Sequence, residues 1–480
     1  MKVHIHQVRH NPSNSLRSFF AAISLRHTIP SFALLLIVAF LAGCARPGEI
    51  PITTKSDKAR QIYLDARDAF ENVRANEARL LCSKAARLDP KFALAYLCLA
   101  RATDDINERN RSLVKAIALV DKVSYGERLI IEAFHANLVE NDRVTWARKI
   151  RQLARRFPED KQANNELGNV YRYYYDDHAK AIRYYNKAIA IDSAYAPPYN
   201  NLGYAYRADG QYDLAERAFR DYIRLIPDQP NPYDSMGDLL TKMGHFEEAN
   251  EYYRQAIDRN PTFSFSQRKI GFNLGYLGRY QEGQAAILDA VDMTVTPPTK
   301  VVEMIFLGFY YVERGLIDEA LAQFDVCIQT ATEKELPQFQ IGFHLNKGDI
   351  YRQTNQYDLA EQSYAAGREV LGAVELPNLE SQIFERIITW REAYLAALRD
   401  NFDSAFEIAG QLEARIKAER TPDDMRNIIY PLLGMINLEQ ENYEEAIKHF
   451  RKSNPENPFI LYYFALALDS AGHAERAQEY

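Results

Sequence analysis

YNNLGYAYRADGQYDLAERAFRDYIRLIP, residues 199–227, decides the fold of this chain. The stretch YDSMGDLLTKMGHFEEANEYYRQAIDRNP, residues 233–261, repeats its order of small, large apolar and proline positions 34 residues later, so that Gly237 corresponds to Gly203. A period in this range is typical of helical solenoids, in which each unit buries its apolar face only by stacking on its neighbours.

The residues at these positions suit a helical hairpin. Gly203 and Ala215 are small, which lets two helices approach closely, and Phe219 fills the groove beside them. Gly210 lies in the turn, where a left-handed helix end favours glycine. Pro227 follows the second helix, which its ring and missing N–H prevent from continuing. The pattern therefore predicts a series of helix–turn–helix units.

These positions resemble the tetratricopeptide repeat, and the resemblance covers most of residues 59–480. It implies an all-α fold, a right-handed superhelix of about 11–12 helical hairpins. We expect degenerate hairpins over 59–160, a regular array over 161–300, and looser hairpins with longer links over 301–480. The last unit is incomplete, so that Phe464 and Leu468 would need a cover, either a second copy or residues beyond Tyr480.

The first 43 residues are predicted to be a lipoprotein signal peptide. Four basic residues and no Asp or Glu precede the apolar run Phe32–Ala42, whose 11 residues are too few for a transmembrane helix of roughly 20. The sequence LAGC at 41–44 resembles a bacterial lipobox, which implies cleavage before Cys44 and a lipid on its sulfur. The alternative is a short membrane-associated stem with an incidental cysteine.

Lipid attachment would place the protein in the bacterial cell envelope. Ala45 follows the cysteine, which by resemblance to Gram-negative lipoproteins favours the outer membrane, facing the periplasm. Residues 44–58 would form the lipidated tether.

The composition argues against a nucleic-acid partner. Without the four basic residues of the leader, 54 Lys and Arg face 65 Asp and Glu, a net charge of −11. Nucleic-acid binding depends on Lys and Arg that neutralise phosphates. The same balance gives no electrostatic attraction to an anionic membrane, so we expect anchoring by lipid alone.

Three cysteines follow Cys44. Cys82 and Cys327 fall at apolar core positions of the repeat and Cys98 lies in an apolar stretch, which favours buried small hydrophobic side chains. A disulfide between Cys82 and Cys98 is the alternative in an oxidising envelope.

No catalytic or metal-binding motif is apparent in the sequence. No two of the six histidines after residue 44 are close in sequence, and neither a phosphate-binding loop nor a nucleophile elbow occurs. We therefore expect a non-enzymatic protein without metal or cofactor. The alternative is an envelope hydrolase assembled across repeats.

The resemblance also implies a binding surface. In tetratricopeptide proteins the first helix of each unit lines the concave face, at its fifth, ninth, twelfth and thirteenth positions. Amide side chains there can pair with a peptide backbone, while Tyr and Arg are frequent energetic anchors. The matching residues are Asn165, Asn169, Arg172, Tyr173, Asn200, Tyr204, Arg207, Asp234, Asp238, Lys242, Arg268, Phe272 and Tyr276.

These observations predict a scaffold or adaptor that binds an envelope protein in this groove. Asn165 occupies the position of the lysine with which some family members clamp a terminal carboxylate, which argues against carboxylate capture. Self-association through the C-terminal end is a further expectation. The alternative function is a surface receptor for glycans or nutrients, because exposed aromatic rings stack well on sugar faces.

Overall fold

The structure, a computed structural model, describes residues 48–72, 74–103, 105–140, 142–376, 378–419, 425–453 and 457–479. The predicted signal peptide and Cys44 lie outside these residues. The described part of the chain contains twelve helical hairpins and no β-strand. The predicted all-α solenoid of hairpins is therefore confirmed.

The hairpins follow one another along the chain, and each packs on the next. Hairpins 1–6 are α1 (Asp57–Glu71) and α2 (Ala75–Leu88), α3 (Ala93–Ala102) and α4 (Ile106–Ile117), α5 (Tyr125–Leu138) and α6 (Arg143–Arg156), α7 (Lys161–Tyr173) and α8 (His178–Ile191), α9 (Pro197–Ala208) and α10 (Tyr212–Leu225), and α11 (Pro230–Lys242) and α12 (Phe246–Arg259). Hairpins 7–12 are α13 (Ser264–Tyr276) and α14 (Tyr280–Asp292), α15 (Pro297–Glu313) and α16 (Ile317–Glu333), α17 (Pro337–Gln353) and α18 (Tyr357–Ala373), α19 (Asn378–Leu398) and α20 (Phe402–Glu419), α21 (Tyr430–Glu439) and α22 (Tyr443–Phe450), and α23 (Pro458–Ser470) and α24 (Ala474–Ala477).

Hairpin 5 shows why the repeat needs its small residues. A Cβ atom at Gly203 would lie 2.5 Å from Cε1 of Phe219, which is too close for two carbon atoms that are not bonded to each other. Phe219 and Ala215 are fully buried in the same interface. Gly210 has a φ of 71°, as expected for a left-handed turn residue. The two helices therefore approach to a separation that only glycine permits.

The looser spacing after residue 300 has a different cause from the predicted longer links. Each of the four helices of hairpins 8 and 9 has 17 residues, whereas those of hairpin 6 have 13 and 14. A π-helical turn, Met425–Ile429, precedes α21. Most of the extra residues thus extend the helices themselves. No described helix is both long and apolar enough to cross a membrane.

Residues 50–55, within the predicted tether, are fastened to the solenoid. The Ile50 amide donates to Asp160 Oδ2 at 3.1 Å, and the Thr53 amide donates to Glu127 Oε1 at 2.8 Å. Glu127 is fully buried, so this hydrogen bond satisfies a carboxylate that would otherwise be costly to bury. We call residues 50–55 the N-terminal strap; it fixes the start of the described chain against hairpin 3.

The expectation that Phe464 and Leu468 of the last hairpin need a cover was wrong. Phe464 is 6% exposed and Leu468 is 0% exposed, because both pack into the core that hairpins 11 and 12 share. They need no second copy to cover them. The apolar side chains that α23 exposes are Phe459, Tyr462 and Leu466, and self-association there stays a prediction.

Candidate partner-binding groove

The predicted groove residues lie on the first helices of hairpins 4–7, and neighbouring first helices contact one another at α7–α9 and α9–α11. Nine of the thirteen line two separate cavities. We call these the N-terminal cavity and the central cavity. The remaining four are Arg172, Tyr173, Tyr204 and Asp234.

The N-terminal cavity has a volume of about 200 Å³ and is lined by first helices of hairpins 1–5. Three predicted residues line it, Asn165, Asn169 and Asn200. Part of its wall is apolar and includes Tyr63 and Leu97. The cavity therefore combines an apolar wall with a row of amides.

Two of these amides keep their nitrogens available. Asn165 is 5% exposed, and its Oδ1 accepts from Asn201 Nδ2 at 3.0 Å. Asn200 Oδ1 accepts from the Ser235 hydroxyl at 2.9 Å. Within the described residues neither Nδ2 atom donates a hydrogen bond to the protein. Each amide thus uses its oxygen internally and offers its N–H groups to an acceptor in the cavity.

The charges around the N-terminal cavity compensate one another. Arg101 donates to Glu166 Oε1 at 2.9 Å, and its guanidinium carbon lies 4.2 Å from the ring centroid of Phe134. Arg67 and Glu71 form a looser pair at 3.8 Å. Because two cations face two carboxylates, the cavity favours a neutral acceptor over an anion.

Tyr204 is held by contacts within the protein and lines neither cavity. Its hydroxyl donates to Asp238 Oδ2 at 2.9 Å, and the guanidinium carbons of Arg172 and Arg207 lie 5.4 Å and 4.8 Å from its ring centroid. Burial, and secondarily Asp238, holds the pKa of Tyr204 well above its usual value. This predicted groove side chain is therefore fixed by contacts within the protein. Tyr173, at the end of α7, is 54% exposed.

The two predicted aspartates are largely occupied within the protein. Asp234 is 7% exposed, accepts from the Ser266 hydroxyl at 2.8 Å and pairs with Lys269 at 2.8 Å. Burial raises the pKa of Asp234 although Lys269 opposes the effect. Lys269 also pairs with Asp238 at 2.6 Å. Asp234 thus ties hairpins 6 and 7 together and is not available to a partner.

The central cavity has a volume of about 620 Å³ and an aromatic floor. Phe272 and Tyr276 of α13 meet Phe306 and Phe309 of α15, and Tyr276 is 55% exposed. Edge-to-face contacts hold Phe272 against Phe306, with ring centroids 6.3 Å apart. This cavity can accept an apolar side chain.

The rim of the central cavity carries both paired and unpaired charged side chains. Arg268 is occupied, because it pairs at 2.9 Å with the buried Glu303 and lies 3.7 Å from the Phe306 ring centroid. Lys242 and Glu313 are exposed and form no ion pair in the described part of the chain. Burial raises the pKa of Glu313. One cation and one carboxylate are therefore free to contact a partner.

Several groove residues were not predicted. Arg67 and Arg101 occupy the ninth positions of the first two units, so the positional rule applied to hairpins 1 and 2 would have found them. Glu166, Asn201 and the wall contributed by α15 depend on how helices stack, and no sequence signal identifies them.

Cys82 and Cys98 form a disulfide with their Cα atoms 5.8 Å apart. The pair joins α2 to α3, and Cys98 lines the N-terminal cavity. The preference for two unpaired thiols was therefore wrong. Cys327 is a buried free thiol, as predicted, and burial raises its pKa to about 12.

Models of the tetratricopeptide repeat match residues 184–217, 231–263, 341–367 and 429–454. The fold is an all-α tetratricopeptide-repeat solenoid. Such solenoids are in general protein-binding scaffolds and are typically non-catalytic. In the described residues, no group of three or more His, Cys, Asp or Glu is placed to hold a metal ion.

The chain is similar to short parts of two curated fungal proteins. Anaphase-promoting complex subunit 3 of Schizosaccharomyces pombe is 26% identical over 95 residues, which are 20% of this chain and 14% of that protein. Protein bimA of Emericella nidulans is 29% identical over 86 residues, 18% of this chain and 11% of that protein. The chain thus matches only a small fraction of either relative.

Two solved structures overlap parts of this tetratricopeptide solenoid. A crystal structure of MamA is 20% identical, with a TM-score of 0.30, covering 36% of this chain and 95% of that one. The structure of YrrB, a TPR protein with an unusual peptide-binding site, is 19% identical, with a TM-score of 0.28, covering 40% of this chain and 96% of that one.

Proposed function

We propose that this protein is a lipid-anchored adaptor of the bacterial cell envelope that holds an extended segment of a partner protein in its groove. The observation that carries the proposal is the pair of open amide nitrogens on Asn165 and Asn200. Both line one cavity, and both face it without a hydrogen-bond partner from the described residues.

Amides on two neighbouring helices can pair with two carbonyl groups of one extended peptide. Carbonyl groups on one side of an extended chain recur about every 7 Å. Asn165 and Asn200 lie on neighbouring first helices, and packed helices are about 8–10 Å apart. Because the cavity is close to neutral, a peptide carbonyl suits it better than a carboxylate does.

The envelope location is supported by two independent features. The lipobox-like LAGC at residues 41–44 follows a basic and apolar leader. The Cys82–Cys98 disulfide is typical of proteins that work in an oxidising compartment, such as the bacterial periplasm.

Photocrosslinking in cells tests the groove. A photoreactive residue replaces Arg67, which lines the N-terminal cavity and has only a loose ion pair at 3.8 Å. We expect one dominant protein adduct, which is lost when Asn165→Ala and Asn200→Ala are combined. The control is Asn186→Ala, an exposed amide on α8 outside both cavities. Two results would contradict the proposal: an adduct that survives the double substitution, or no adduct with the otherwise unsubstituted protein.

Labelling with a fatty acid tests the anchor separately. We expect labelled palmitate to be incorporated into the protein and the label to be lost with Cys44→Ser, because no acyl chain can then be attached. Absence of label from the unsubstituted protein, or label that persists in the variant, would refute lipid anchoring at Cys44 and leave the groove proposal standing.

A further inference from the structure

The outward face of α6 has a high density of unpaired positive charge. This helix, Arg143–Arg156, contains no acidic residue. Its only lysine, Lys149, pairs with Glu132. Five arginines make no ion pair within the described residues: Arg143, Arg148, Arg151, Arg155 and Arg156. Four of them, Arg148, Arg151, Arg155 and Arg156, lie on one side of the helix, and we call these four the α6 basic face; Arg143 instead donates to the Tyr173 carbonyl oxygen.

The members of the α6 basic face are accessible. Arg148, Arg155 and Arg156 are exposed, and Arg148 and Arg155 lie seven residues apart, which places them on the same side of the helix. At the start of the helix the exposed apolar side chain of Val144 adjoins them. The exposed Tyr175 ring lies beside the same face, with its centroid 5.6 Å from the Arg151 guanidinium carbon. Cations flanked by amphipathic rings are typical of surfaces that contact lipid headgroups.

This face contrasts with the rest of the chain. The groove arginines Arg101 and Arg268 both pair with carboxylates at 2.9 Å. Residues 44–480 carry a net charge of −11, so a run of arginines without ion pairs on one helix stands against the overall charge. The carboxylates that flank the helix in sequence are Asp142, which caps its start and interacts with Arg148, and Glu159 and Asp160, which follow its end. The complementary partner is therefore anionic.

The N-terminal strap brings the start of the described chain to the end of α6. The Ile50 amide donates to Asp160 at 3.1 Å, and a Cβ atom on Gly48 would lie 3.0 Å from Cβ of Glu159. Cys44 is four residues before Gly48, and four extended residues span at most about 14 Å. The proposed lipid on Cys44 is therefore separated from the strap by only a few residues of chain.

We propose that the α6 basic face docks on a membrane surface of anionic phospholipids, as a second attachment beside the lipid. The geometry rests on the proposed anchor at Cys44. A basic patch is a common second membrane-binding signal beside covalently attached lipid. The groove stays open in this orientation, because α6 is a second helix whereas first helices line the groove. The net negative charge of the chain predicts no attraction to anionic phospholipids. The local concentration of arginines on α6 does predict it.

Vesicle co-sedimentation tests the proposal without the anchor. Each protein begins at residue 44 and carries Cys44→Ser, so neither the basic leader nor an acyl chain contributes. The vesicles contain either phosphatidylglycerol mixed with phosphatidylethanolamine or phosphatidylcholine alone. Three proteins are compared in that background: the parent, the face variant with Arg148→Gln, Arg155→Gln and Arg156→Gln, and a control with Arg183→Gln, Arg217→Gln and Arg254→Gln. The control arginines are also exposed and without ion pairs in the described residues, but lie on α8, α10 and α12.

We expect the parent and the control to bind the anionic vesicles alike and to release with added salt. The face variant should bind about 100-fold more weakly, since each cation near an anionic surface contributes about a factor of five. Equal binding by all three proteins, or equal binding to phosphatidylcholine, would overturn the proposal. Tighter binding of the parent to a DNA duplex than to anionic vesicles would also overturn it. No partner protein is present, so the groove proposal is unaffected by any of these results.

Discussion

The two cavities of the groove are built on the same repeat but differ in chemistry. The N-terminal cavity is about 200 Å³, is close to neutral and presents open amides. The central cavity is about 620 Å³, has an aromatic floor and leaves Lys242 and Glu313 unpaired. The repeat constrains the residues between the helices of a hairpin and leaves the groove positions free to vary. The two cavities therefore suit different chemical groups, a peptide backbone in the first and an apolar side chain in the second.

The cavities also differ in how their cations are held. In the N-terminal cavity Arg101 keeps contact with solvent, with 27% of its side chain exposed. In the central cavity Arg268 is 12% exposed and depends on Glu303, which is 1% exposed. The stability of the central cavity should therefore depend more strongly on a single ion pair.

Removing the ion pair between Arg268 and Glu303 is expected to have the largest effect on stability. Glu303→Gln leaves Arg268 buried beside a neutral group. It also weakens the hydrogen bond that the Ser264 hydroxyl donates to Glu303 Oε1, which is 2.8 Å long in the unsubstituted protein. We expect a loss of about 3–5 kcal/mol in the free energy of unfolding. The matched change in the N-terminal cavity, Glu166→Gln, should cost about 1 kcal/mol. Urea titrations measure both, and equal losses would remove the proposed difference.

A pair of glycine substitutions tests the close contact between the two helices of hairpin 5. Gly203→Ala places a methyl group 2.5 Å from the Phe219 ring and should cost about 2 kcal/mol. Gly410→Ala, within α20, meets no atom within 4 Å and should stabilise the protein by up to about 1 kcal/mol. Thermal unfolding distinguishes them. A stabilised Gly203→Ala variant would show that the hairpin separates easily.

The independence of the two cavities predicts a smaller, local effect on binding. Asn165→Ala removes one open amide, which should weaken the adduct formed from Arg67 by roughly two- to tenfold. The adduct from a photoreactive residue at Tyr276, in the central cavity, should change little if the partner makes separate contacts there. Equal loss at both positions would indicate one continuous site across Tyr204.

The smallest expected effect concerns hairpins 9 and 11, outside both cavities. Burial lowers the pKa of His344 and of His449 below the usual value of 6.5. A histidine with a lowered pKa binds fewer protons in the folded chain than in the unfolded one. The stability that it supports is therefore present above about pH 6.5 and is lost as the pH falls through its folded pKa.

Urea midpoints between about pH 7 and pH 5 measure this dependence. We expect a decrease towards low pH that is shallower when His344→Gln and His449→Gln are combined. An identical pH profile for parent and double variant would exclude these histidines as its source.

Much of the fold could be predicted because the decisive contacts are close in sequence. Gly203 and Phe219 belong to one hairpin, and a 34-residue period repeats their spacing. The groove positions on α7, α9, α11 and α13 followed from the same register. The roles of Tyr204 and Asp234 could not be predicted, because these depend on side chains contributed by the next hairpin.

The sequence by itself determined the solenoid and its hairpins, since the sizes of neighbouring side chains set how closely two helices pack, and its resemblance to the tetratricopeptide repeat indicated which helices line the groove. Only the tertiary structure decided which charges are neutralised. Arg101 meets Glu166 across 65 residues, whereas the α6 basic face forms no ion pair with a carboxylate among the described residues. Ion pairs form only over a few ångströms, and the stacking of hairpins sets those distances.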